Sequence, residues 1–169
     1  HVNLVASKYN SEEGAFKHTD GLDDWKKIEL NKLIWHNFIP TSSVCFRRFT
    51  CNARDANFMS KMQYGDFALY MILCNTGDFW INDYPQSYYR KHITGAFSSK
   101  SSEENCIGMT KAAIETLNYL TLKELKREML LVVIYRINEL IEVYRIKPDF
   151  IMQNKMRLKR FYYQYIWRP

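Results

Sequence analysis

The chain has 169 residues and a mass of 20.3 kDa, enough for one domain with a proper core, or a core with an appendage. Hydrophobic residues make up 47% with only 6 Gly and 4 Pro, which excludes a disordered or fibrous chain. The net charge of +6 sits entirely at one end: from Arg145 onward seven Lys and Arg face Asp149 alone, whereas the residues before them hold 17 basic and 17 acidic side chains, which argues against a nucleic-acid binder.

Val2 to Ser7 is expected to form a short buried strand, followed by a polar loop from Lys8 to Gly14. Apolar residues at 25, 28, 30, 33 and 34 predict an amphipathic helix over Trp25 to Trp35, with Asp23 or Asp24 at its start. Pro40 sets off Thr41 to Arg48, rich in strand formers and ending in Arg47 and Arg48. The polar stretch from Asn52 to Gln63 reads as a loop with at most one helical turn. Apolar residues at 67, 69, 70, 72, 73 and 74 predict a helix over Asp66 to Asn75, buried around most of its girth and stopped by Gly77. Asp78 to Tyr84 reads as a strand, and Pro85 releases the chain into Tyr88, Tyr89, Arg90, Lys91 and His92. A polar break at Ser98 to Ser102 precedes three predicted helices, Glu103 to Leu120, Leu122 to Tyr144 and Pro148 to Trp167.

The expected fold class is therefore α/β: a mixed α/β segment over residues 1–98, then an all-helical region over 99–169. Cys45, Cys51, Cys74 and Cys106 show no C-x-x-C or metal-type spacing, and a reducing, cytoplasmic setting is expected. The longest apolar block, Met129 to Tyr135, is far too short for a membrane span, and no signal-peptide pattern is seen. A chain that opens on His1 is expected to be a piece of something longer. His18 and His36 have no partner at metal-ligand spacing.

Gly65-Asp66 at a helix start, an aromatic strand, then Tyr89-Arg90-Lys91-His92 resembles the C-terminal half of a family 2 (GT-A type) glycosyltransferase catalytic domain. Thr41 to Ser43 followed by Phe46, Arg47 and Arg48 resembles the strand that such enzymes place beneath the acceptor cleft. The resemblance covers residues 2–98 and implies a partial GT-A-like, Rossmann-like segment. Many family members carry Glu-Asp or Asp-Asp where this chain has Gly65-Asp66. An Asp-x-Asp is found nowhere in it, so the nucleotide-binding half is expected upstream.

The resemblance implies inverting transfer of a sugar from a nucleotide-sugar donor to a glycan or lipid-linked acceptor in polysaccharide biosynthesis. Asp66 would be the general base, removing the acceptor hydroxyl proton, a task for an ionised carboxylate. Arg90 and Arg47 would face the diphosphate, and His92 a divalent cation, Mn or Mg. Each residue also has a plainer reading: Asp66 as a helix cap, Arg90 to His92 as a solvated turn, Arg47 and Arg48 as a solvated strand end.

The last helix mixes cations with rings: Arg157, Lys159, Arg160, Phe161, Tyr162, Tyr163, Tyr165, Trp167 and Arg168. Such a mixture suits the anionic inner face of a membrane, and equally a helix packed through its rings with charges in water. The alternative function is a non-catalytic helical interaction module whose basic aromatic tail binds a membrane or a partner; no nucleic acid is expected.

Overall fold

The computed structural model describes residues 2–10, 25–39, 41–88, 99–146 and 150–166. Their elements are β1 (Val2–Asn10), β2 (Trp25–Lys27), α1 (Leu30–Trp35), a 3-10 turn (Thr41–Ser43), β3 (Val44–Phe46), α2 (Ala53–Lys61), α3 (Gly65–Cys74), β4 (Asp78–Tyr88), α4 (Ser102–Tyr119), α5 (Lys123–Ile146) and α6 (Phe150–Phe161), which runs into a π-helical turn (Tyr162–Ile166). An α/β segment followed by helices is thus the observed architecture.

The four strands form one mixed sheet in the order β2-β4-β1-β3. Its centre is the parallel pair β1 and β4; β3 and β2 flank it, each antiparallel to its neighbour. β4 runs on to Tyr88, past the expected end at Tyr84. Pro85 stays in the strand opposite Lys8, where the register shifts on both sides of Lys8. A residue without an amide hydrogen interrupts a ladder without having to end it.

Two expectations are corrected. Trp25 to Lys27 is an edge strand, not the first turn of a helix: these residues pair with Asn82, Ile81 and Trp80. The Ile28 amide extends the contact to the Phe79 carbonyl at 2.8 Å, and Lys27 meets Asp78 at 2.8 Å. Only Leu30–Trp35 is helical, burying Leu33 and Ile34. The stretch read as a loop contains the three-turn helix α2. Its start is a capping box, in which the Asn52 side chain accepts from the Asp55 amide at 3.0 Å and Asp55 accepts from the Asn52 amide at 3.1 Å.

Helix α3 has buried residues on most of its circumference, from Ala68 through Cys74. It ends before Gly77, because Asn75 and Thr76 donate side-chain hydrogen bonds to the Met71 and Leu73 carbonyls. Helix α4 begins in a second capping box, Ser101 with Glu104. In α5 the buried stripe Leu125, Met129, Val132, Val133, Ile137, Leu140, Ile141 and Tyr144 follows the predicted spacing, while Leu122 lies exposed ahead of the helix. Buried side chains of the α/β segment and of the helices, from Ile28 to Tyr163, belong to one hydrophobic cluster.

Candidate functional site

Asp66 is the second residue of α3, whose N-cap is Tyr64. It is therefore not the cap, although a carboxylate in the first turn still meets orphan amides and the positive end of the helix dipole. Oδ1 accepts from the Phe67 amide at 2.8 Å. Oδ2 accepts from Asn37 Nδ2 at 3.1 Å and from Thr41 Oγ1 at 3.4 Å. Both donors come from the segment between α1 and β3, so two stretches some 25 to 30 residues before the helix fix the carboxylate in place.

The Asp66 side chain is half-buried and lines a cavity of about 530 Å³. One wall carries Trp35, His36, Asn37, Thr41 and Tyr64; the opposite wall comes from the helical region, with Met109, Ala112 and Ala113 of α4 and Met129, Val132 and Arg136 of α5. Asp66 is the sole carboxyl group among the described residues that line it. The lining thus mixes ring and methyl surface with amide, hydroxyl and carboxyl groups, a composition common in small-molecule sites.

The other polar groups are held in place. Trp35 Nε1 donates to Glu128 at 3.1 Å, and its ring meets Tyr135 edge-on at 6.0 Å. Arg136 is paired with Glu139 at 2.7 Å. Tyr64 donates to Asn105 Oδ1 at 3.1 Å and accepts from Gln63 at 3.0 Å. Burial pushes the Tyr64 hydroxyl up, with the Arg136 charge opposing. The neighbouring Tyr70 hydroxyl, which donates to the Ile39 carbonyl, is pushed up to about 12, first by burial and then by the negative charge of Asp66. Both phenols therefore keep their protons near neutral pH.

Arg47 is exposed one residue beyond β3 and is not part of the cavity lining. Arg90 and His92 lie outside the described residues, as do Asp20, Asp23 and Asp24. Among the described residues no three His, Cys, Asp or Glu side chains converge as a cation site would require. Of the residues around this cavity, sequence reasoning singled out Asp66 but not Asn37, Tyr64 or the wall built by α4 and α5. Tyr64, two residues before Asp66, carried a local signal; the helical wall carried none. Comparison with protein-family models, curated proteins and solved structures finds no match for this chain.

Proposed function

We propose that this chain is the acceptor side of an inverting glycosyltransferase and that Asp66 is its general base. The observation that carries the reading is a carboxylate held from three directions yet open to a cavity. A carboxylate offers about four lone-pair sites. The Phe67 amide, Asn37 and Thr41 use three, leaving capacity for one incoming hydroxyl. In the reaction the acceptor O–H proton passes to Asp66 as the acceptor oxygen bonds to the anomeric carbon of the donor. The bond from that carbon to the nucleoside diphosphate breaks, and its electron pair leaves with the diphosphate oxygen. Trp35 and Tyr64 would offer ring faces to the acceptor sugar.

The test is made in the full-length protein of the parent reading frame. Nucleoside diphosphate release is followed across a panel of uridine and guanosine diphosphate sugars, with donor binding measured by calorimetry. Asp66→Asn should lower turnover by about 10²- to 10⁴-fold with donor affinity little changed. Turnover close to that of the parent would remove Asp66 from the role, whereas no diphosphate release by the parent with any donor would favour a non-catalytic helical interaction module.

A further inference from the structure

Four large apolar side chains near the end of the described chain face outward: Leu158 is 71% exposed, Phe161 53%, Tyr162 45% and Tyr165 61%. They recur at steps of three and four, so they share one side of α6 and its π-helical extension. The Phe161 and Tyr165 rings are in contact, with centroids 5.0 Å apart. The inward side of the same segment is a different set, Met156 and Tyr163, which join the core cluster. At about 100° per residue those two lie nearly opposite the outer stripe. The stripe is therefore a second apolar face, turned away from the core that the described residues form.

Its flanks carry one sign of charge. Lys155, Arg157, Lys159 and Arg160 are all exposed, the first three beside the stripe and Arg160 nearer the Met156 side, and the sequence holds no Asp or Glu from Phe150 to the end. Among the described residues no carboxylate forms an ion pair with any of the four.

We propose that this face docks on a bilayer containing anionic phospholipids, with Leu158, Phe161, Tyr162 and Tyr165 at the boundary of headgroups and acyl chains and the flanking cations Lys155, Arg157 and Lys159 against phosphates. A cation-flanked apolar stripe with rings suited to headgroup depth is what such a surface accommodates. A nucleic acid would satisfy the cations but leave Leu158 and Phe161 in water. A second copy of the chain would bring the same positive charges against these. Docking is peripheral, since no helix of the described residues is long and apolar enough to cross a membrane. The inference requires nothing of Asp66 and stands apart from the transferase reading.

The test is co-sedimentation of the chain with vesicles of pure phosphatidylcholine and of phosphatidylcholine with about 30% phosphatidylserine. The chain should sediment with the anionic vesicles only, and a rise from about 0.1 to about 0.5 M salt should weaken the binding. Near such a surface each cation is worth roughly a fivefold change in partition, so K155Q/R157Q/K159Q should lose about a hundredfold. L158S/F161S should lose at least about tenfold. All five side chains are exposed, so circular dichroism and melting temperature should stay unchanged. No sedimentation with anionic vesicles, equal binding to neutral ones, or variants that bind like the parent would overturn the proposal. So would tight binding of a duplex oligonucleotide, or self-association abolished by L158S/F161S, in a chain that ignores vesicles.

Discussion

Tyr119 joins the α/β segment to the helices through one short contact, and removing its hydroxyl should destabilise the whole domain. The buried hydroxyl donates to Asp55 Oδ1 at 2.6 Å, and Asp55, itself only 6% exposed, uses its other oxygen to close the capping box of α2. Burial, and then the bond to Asp55, raise the phenol well above its ordinary pKa, so it remains a donor. Tyr119→Phe keeps the ring stacked on Phe58, 4.1 Å away and 8° from parallel, and within reach of the Arg54 guanidinium. What is lost is the hydrogen bond, with a buried carboxyl oxygen left unpaired. Bonds of this kind contribute about 1.5–3 kcal/mol. For a chain of this length each kcal/mol moves Tm by about 2–4 °C, so calorimetry should show a fall of about 6 °C. Asp55→Ala should cost more, because the cap goes too. The double variant should then lose less than the two single losses together, by about 1 kcal/mol or more. A Tm for Tyr119→Phe within about 1 °C of the parent, or strict additivity, would refute the reasoning.

Cys45 and Cys51 are exposed whereas Cys74 and Cys106 are buried, so a thiol reagent should titrate two groups in the native chain and the other two only in denaturant. Burial also pushes the Cys74 thiol from 9.0 to about 12. A raised acid stabilises the fold fully below its unfolded pKa, and that contribution drains away as pH climbs from 9.0 toward about 12, with Tyr70 adding to the loss above 10.0. Denaturant midpoints should therefore fall between about pH 8 and pH 11, and a flat profile would contradict the burial of both groups. At the acid end the sign reverses. The Ser101 amide holds Glu104 below its ordinary 4.5, so its contribution is present above that value and is lost as pH drops through the lowered one. Glu104→Gln should flatten this acid limb, and an unchanged slope would contradict the assignment.

Where one face of an element meets the core, the sequence showed it plainly. The three- and four-residue steps of α5 and the dense apolar run of α3 both carried through. Trp25 to Lys27 misled because Trp25 and Ile28 stand three apart, the spacing of one helix face, and a three-residue strand is too short to show its alternation. What decided was the open edge of β4, more than fifty residues away in sequence. In α2 few apolar residues mark the inward side, and Asp55 and Phe58 are its buried positions. The usable signal was Asn52 followed three residues later by Asp55, a capping pattern with the shorter acid. Asp66 was singled out through the resemblance, and its place in the first turn of a helix was readable from the apolar run that follows it. Its donors Asn37 and Thr41, and Met109, Ala112 and Met129 across the cavity, were not, because chain folding alone brings them together.

The parallel pairing of β1 with β4 has a consequence for synthesis. Asn10 leaves the ribosome nearly eighty residues before its partner Tyr88. At about 5–20 residues per second that interval lasts roughly 4 to 15 s. Throughout it, Val2 to Ala6 lacks its longest ladder, so the central sheet can close only once Asp78 to Tyr88 has been made.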